Sequence, residues 1–332
     1  MREGSKRDLP SWICKTAVKN KQKSENIMNA SITKNKNQNF DQDKAFPHIL
    51  MSPTIIVMLA LTVYPLLFTV YYSFTDYNLL KSRKNGVNFI GLQNYTKLFQ
   101  NPIFRTAILN TVKFTICAVL LETVIGLLIA LFVNSLHRGQ KVMRTLLLLP
   151  YLLPTVTVAL AWRMLLSSNY GPVMQWLVNL GFKNLANYNV FFHVETAFWA
   201  VLVIDVWQSS PFVFLLCYAS LQGVPTQQYE AAELDGANIF QKFWYVTVPN
   251  IKSGIFLCLL LRTIDSFRLF DKVNILTGGG PANSTTTITQ YLYTFGIKNL
   301  NFGFGSAGAL IMTVIVMILA IPYIKNAISS QK

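Results

Sequence analysis

Charge is scarce in this sequence, and acidic charge is the scarcest: 13% of the 332 residues are Asp, Glu, Lys or Arg, and only 14 of those are acidic. That is about half the charged share usual for soluble domains, too little amphipathic surface for a chain of buried core helices. Cysteine and histidine are equally thin. Cys14, Cys117, Cys217 and Cys258, like His48, His137 and His193, lack ligand-like spacing, so neither a disulfide framework nor a metal site is indicated. Gly278-Gly279-Gly280-Pro281 is followed by no Lys-Ser/Thr pair, which excludes a P-loop on residue type. No nucleophile, base and ligand set converges in the sequence, so an enzyme is not expected. Residues 1–44 have no apolar core or cleavage pattern, and no secretory signal is expected there.

What is abundant is apolar sequence, 52% of the chain. Six runs near 20 residues are long enough to cross a hydrocarbon core. They lie at about 47–74, 106–134, 142–166, 196–221, 253–276 and 306–328. The expected fold class is all-α, a polytopic membrane protein with six transmembrane helices. Residues 1–46, rich in Lys, Asn, Gln and Ser, read as a largely disordered basic tail; 47–328 form the transmembrane domain and 329–332 the C-terminus.

The net charge of +15 invites a nucleic-acid reading. Its location argues otherwise. With the amino terminus inside, the tail and inner loops hold most of the 29 Lys and Arg residues, as the positive-inside rule requires. Lys81, Arg83, Lys84, Lys97 and Arg105 in the first outer loop run against that trend. Both termini and the 222–252 loop then face the cytoplasm, and the charge reports orientation in a cell membrane. The tail's cations can touch anionic lipid heads or serve as solvated linker. No nucleic-acid partner is expected.

The wet segment 75–105 alternates aromatic and basic residues, which suits a helix at the outer interface. The stretch 167–195, opened by Asn169-Tyr170-Gly171-Pro172, reads as a re-entrant or interfacial outer loop. Between the last two spans Thr277-Gly278-Gly279-Gly280-Pro281 stops any helix. The 222–252 loop reads as two short helices. Thr226 can cap the first, Gly236 can end it in a left-handed turn, and Asn238 can cap the second. From spacing alone, this loop is either a docking element or an ordinary connector.

The loop's residues carry more than spacing. Glu230-Ala231-Ala232, Asp235-Gly236-Ala237 and Val246-Thr247-Val248-Pro249 resemble the signature loop of ABC importer permeases. Ser253 departs from the pattern, where many members have a second proline. The resemblance implies the type I permease fold, with a coupling helix that slots into a separate ABC ATPase. It makes Glu230, Ala231, Ala232, Asp235, Gly236, Ala237 and Pro249 the ATPase-coupling residues. ATP and Mg would be bound by that partner, and this chain would carry no cofactor.

A second resemblance narrows the class. Phe270-Asp271-Lys272-Val273 through Pro281, then Thr285-Thr286 and Tyr291-Leu292-Tyr293, is similar to the end of span five in carbohydrate importers. Phe89 to Leu98 and Asn110-Thr111 are similar to their approach to span two. The resemblance implies the first permease subunit of a maltose-type or glycerol-phosphate-type system. Its partners would be a second homologous permease, two ATPase copies and an extracytoplasmic solute-binding protein. Gly278, Gly279, Gly280 and Pro281 would face the binding protein; read bare, they are a plain turn.

Intramembrane charge is the remaining signal. Asp205, Arg163, Arg262, Asp265, Arg268 and Asp271 lie in expected spans, the last four at every third position. Charges at such depth usually face a bundle interior or a wet cavity. Arg262 with Asp265 and Arg268 with Asp271 can equally pair as i, i+3 neighbours. Extending the family's loop motif without gaps puts Asp205, Ser209 and Phe212 of span four, and Arg262, Ser266 and Leu269 of span five, at its sugar-contact positions. Arg262 would permit an acidic sugar or sugar phosphate. The expected function is ATP-driven saccharide import by alternating access. Alternatives are a non-sugar cargo, or an ion-coupled secondary transporter, which would have no use for the coupling loop.

Overall fold

The computed structural model describes residues 50–136, 138–182 and 188–329. The readings made for the tail 1–46, Cys14, His48, His137 and residues 330–332 lie outside these. The elements, all helical, are α1 (Leu50–Ser73), α2 (Leu79–Asn85), α3 (Gln93–Gln100), α4 (Pro102–Ser135), α5 (Gln140–Leu152), α6 (Thr155–Leu165) and α7 (Pro172–Asn179). They continue with α8 (Val194–Gln222), α9 (Thr226–Leu234), α10 (Ile239–Gln241), α11 (Val248–Phe267), α12 (Asp271–Leu276), α13 (Ile288–Leu292) and α14 (Phe302–Ser329). Two π-helical stretches, Lys242–Thr247 and Tyr293–Lys298, adjoin α11 and α13.

The chain divides into two compact units between Phe68 and Thr69, inside α1. Residues 50–68 expose Leu59, Leu61, Leu66 and Leu67, as a helix dissolved in lipid does. In the second unit α8 is the central pillar. Ala197, Val201, Leu202, Ile204, Val213, Phe214 and Cys217 are all sealed along it. Gly126 of α4 lets this pillar approach closely, since a Cβ there would sit 2.6 Å from Val213 Cβ and 2.8 Å from the Phe214 amide nitrogen.

Among the described residues, five helical segments are long and apolar enough to cross a membrane, and α5 with α6 forms a pair bent by 89°. The third expected span is therefore broken. Pro154 holds Leu153 in extended backbone (φ −75°, ψ 138°), as a residue before proline requires. The freed Leu153 carbonyl accepts from Gln208 Nε2 of α8 at 3.0 Å, the re-satisfaction that permits a helix break at membrane depth.

Hydrogen bonds sort the connections into two groups. In one, Leu79 N–H donates to the Leu300 carbonyl at 2.9 Å and Asn110 Nδ2 to the Asn283 carbonyl at 2.9 Å. Arg163 Nη1, at the end of α6, donates to the Ile275 carbonyl in the same group at 2.9 Å. In the other, Gln222 Nε2 donates to Asn134 Oδ1 at 2.7 Å and Tyr218 hydroxyl to Gln140 Oε1 at 3.3 Å. The bent pair thus begins in the second group and ends in the first, so it carries the chain across as one span.

The 75–105 segment contains α2 and α3, tied by a bridge between Thr75 and Phe89. There the Asn88 backbone N–H donates to Asp76 Oδ1 at 2.7 Å, which holds the Asp76 carboxyl below its usual range.

Candidate functional site

α8 presents Asp205, Gln208 and Ser209 on one face, at the i, i+3, i+4 spacing of a helix. Opposite them α11 supplies Arg262, Asp265 and Ser266, and then it stops. Arg268 is its cap (φ −94°, ψ 13°), and Asp271 opens α12. The Leu269 carbonyl released by this break accepts from the Thr287 hydroxyl at 3.0 Å and from the Thr289 hydroxyl. The expected stripe from Arg262 to Asp271 is thus not one helical face. Among the described residues no ion pair joins Arg268 to Asp271, because a helix end lies between them.

These elements enclose a cavity of about 350 Å³. Asp205, Ser209, Arg262, Ser266 and Leu269, five of the six expected substrate contacts, line it with Gln208, Asp265, Arg268, Asp271, Lys272 and Tyr151. Phe212 does not reach the wall. One turn beyond Ser209, it stacks behind Tyr151, with ring centroids 5.3 Å apart.

The charges are paired. Arg262 Nε donates to Glu122 Oε2 at 2.6 Å and Nη2 to Glu122 Oε1 at 3.0 Å. The guanidinium also lies 3.6 Å from Asp265 Oδ2 and 3.8 Å from Asp205 Oδ2, and Lys272 Nζ donates to Asp205 Oδ1 at 2.5 Å. Glu122, Asp205, Arg262 and Lys272 are all buried. Removing one member of such a cluster strands a charge in low dielectric, at about 3–5 kcal/mol. Of the i, i+3 pairs expected, Arg262 with Asp265 exists, but it is secondary to the bidentate bond that Arg262 donates to Glu122. Arg163 stands apart, on the Ile275 carbonyl.

Sequence reasoning passed over Glu122 and gave Lys272 no role. A lone Glu in the apolar run of α4 was itself the available signal, since burial without a partner is so costly.

In the 222–252 loop Thr226 is not a cap. Pro225 occupies the N-cap position, extended at ψ 130°, and Thr226 is the first helical residue. Gly236 takes the left-handed conformation (φ 77°). Asn238 forms a reciprocal capping box with Gln241. Pro249, having no N–H to give, sits at the start of α11 just past the π-helical stretch, where the Val248 N–H reaches back to the Phe243 carbonyl. Glu230, Ala231, Asp235 and Gly236 are exposed, while Ala232 and Ala237 are half-covered. Glu233, not Glu230, holds the loop's ion pair, with Lys242 at 2.5 Å. Large apolar side chains also stand in the open: Leu234 is 90% exposed, Ile239 81%, Phe240 77% and Tyr245 80%.

The glycine turn is partly an internal structure. Gly278 and Gly279 have φ of 63° and 93°. The Thr286 hydroxyl donates to the Gly279 carbonyl and the Thr285 hydroxyl to the Gly280 carbonyl, each at 2.8 Å. Gly279 is buried and Gly280 and Pro281 half-covered, which leaves Gly278, Ala282 and Asn283 outermost.

A bundle of apolar spans around a polar cavity lined by ion-paired side chains fits a transport permease. Residues 122–324 match the family described as "Binding-protein-dependent transport system inner membrane component". The trehalose/maltose transport system permease protein MalF of Thermococcus litoralis is 34% identical over 280 residues, 84% of this chain and 92% of that one. The arabinooligosaccharides transport system permease protein AraP of Halalkalibacterium halodurans is 32% identical over 286 residues, 85% and 87% of the two chains. A bacterial ABC transporter involved in import of the acidic polysaccharide alginate has the same fold, with a TM-score of 0.75 at 22% identity, covering 89% of this chain and 99% of that one. The chain belongs to the binding-protein-dependent permease family, as a multi-pass membrane subunit of an ABC importer, and it is not itself a catalyst.

Proposed function

We propose that this permease carries a saccharide into the cytoplasm, through alternating access to the cavity between α8 and α11. The observation that carries the reading is the meeting of Asp205, Ser209, Arg262 and Ser266 on one wall system. Carboxylate, hydroxyl and guanidinium groups suit the hydroxyls of a sugar, and Tyr151, stacked on Phe212, supplies an aromatic face for the ring. Carbohydrates are also the cargo named for relatives such as the trehalose/maltose and arabinooligosaccharide permeases.

Power comes from two copies of an ABC ATPase that bind ATP and Mg. They grip the 222–252 loop, which faces the cytoplasm together with both termini. Exposed Leu234, Ile239, Phe240 and Tyr245, in the same loop as exposed Glu230, support this role, since large apolar side chains gathered in one short polar segment suit an interaction surface. A second, homologous permease completes the enclosure. The Gly278–Pro281 turn meets an external binding protein at its outermost residues.

The test is ATPase activity of the purified four-subunit complex with its binding protein, across a panel of saccharides, amino acids and peptides. Stimulation by saccharides alone supports the reading. Stimulation by another solute class, or uptake that persists without the ATPase, overturns it.

A further inference from the structure

The charges around the cavity do not balance once the residue behind the wall is counted. Asp205, Asp265 and Asp271 line it with Arg262, Arg268 and Lys272, and Glu122, wholly buried behind Arg262, adds a fourth carboxylate. Both Glu122 oxygens accept from the guanidinium, the fork geometry of an ionised carboxylate on arginine. Arg262 therefore has Nε and Nη2 committed and Nη1 close to Asp265, while Lys272 is held by Asp205. Arg268, the remaining cation, is exposed, as are Asp265 and Asp271.

The unmet hydrogen-bonding capacity is of the opposite kind. Asp205 Oδ2 and Gln208 Oε1 are buried acceptors with no hydrogen-bond partner, one helical turn apart on α8. The Gln208 amide cannot be turned around, because its Nε2 must donate to the Leu153 carbonyl. Both residues are more than nine-tenths buried and line the cavity. Such a wall asks for donors.

We propose that the cavity selects cargo without net negative charge, and that Glu122 sets this selectivity by cancelling Arg262. The inference rests on the cavity being the cargo site. Sugar hydroxyls can donate to the exposed carboxylates of Asp265 and Asp271 on the cavity wall. A uronate, phosphate or sulfonate brings acceptors to acceptors and adds negative charge beside a cluster in which Glu122, behind the wall, already tips three cations against four carboxylates. Glu122 is a positioning residue here: it touches Arg262, not cargo.

The test is saturation-transfer NMR on the assembled permease–ATPase complex in nanodiscs, without the binding protein, so that no second selectivity enters. The probes are a neutral gluco-oligosaccharide and an oligogalacturonate of equal length, in competition. The wild type should favour the neutral probe at least tenfold. Glu122→Gln should move the ratio tenfold or more toward the uronate, and Glu122→Gln with Arg262→Gln should return it to the wild-type value. A wild type that prefers the uronate, or an assembled Glu122→Gln with an unchanged ratio, overturns the proposal. If the single variant does not assemble, the double variant decides: retained neutral preference supports the proposal and uronate preference overturns it. Ser209→Trp, which fills the cavity, should abolish binding of both probes. Unchanged binding there would sink the cargo-site reading itself, whatever the charge ratios show.

Discussion

Lys272 reaches Asp205 at 2.5 Å across 67 residues of sequence, joining the short helix α12 to the middle of α8. The pair is buried on both sides, and it fixes the wall of the cavity where α11 has already ended. Lys272→Met should therefore cost about 3–5 kcal/mol, the loss expected when one buried charge is left alone. Lys272→Met with Asp205→Leu should recover most of that stability while uptake stays low. Thermal unfolding of the purified complex, read beside uptake, checks both. A single variant as stable as the wild type would show that the pair does not hold the wall.

The break between α5 and α6 depends on a borrowed donor. Gln208→Leu leaves the Leu153 carbonyl, at the edge of the cavity, without its side-chain donor, at about 1–3 kcal/mol. Hydrogen exchange should quicken around 150–156 and stay unchanged in α14. Uniform exchange throughout would mean that water already serves this carbonyl.

Gly126→Ala should destabilise the protein by about 1–3 kcal/mol, as overpacking of a tight core does. The new methyl would press on Val213 Cβ and on the Phe214 backbone, neither of which can swing away. Val213→Ala in the same chain should give back part of the loss, and additive losses instead would mean that the helices simply separate.

In the loop, Glu230→Lys with Phe240→Ser should leave unfolding of the purified permease within about 0.5 kcal/mol of wild type, since exposed positions tolerate change. Co-purification of the ATPase and uptake should both fall tenfold or more. Gly236→Val should add strain at φ 77°, about 1–2 kcal/mol for a left-handed L-residue, with uptake reduced further. Undiminished ATPase capture by both variants would remove the loop from the coupling role.

Much of this architecture could be read in advance, because apolar length alone dictates spans. The sites of α1, α4, α8 and α14 follow directly from it. Hydropathy is blind to geometry, however. It ran the third span straight through Leu153 and Pro154, although Pro150 and Pro154 were both in view. Span five does run on to Leu276, but with an interruption at 268–270 that no proline or glycine foretells and that hydroxyls at Thr287 and Thr289 hold. Asp205, Ser209, Arg262 and Ser266 emerged by extending a motif along two helices, since helical spacing preserves register, while Leu269 meets the cavity from just past the end of α11. Phe212 shares the face of Asp205 and Ser209 but lies one turn further along α8, where it stacks on Tyr151 outside the cavity lining. Glu122 was visible as a lone acid in an apolar run; what the sequence hides is its partner, 140 residues away. Thr226 misled for a simpler reason: Pro225, already extended, took the cap position.

The run from Ile239 through the π-helical stretch to Phe267 has no interruption. At about 1.5 Å per residue, some 35 Å of stiff rod separates the Asn238 cap from Arg262. Under the proposed coupling role, the exposed knob of the loop and the polar wall of the cavity are then two ends of one unbroken helical run, the shortest covalent route between the ATPase and the cargo.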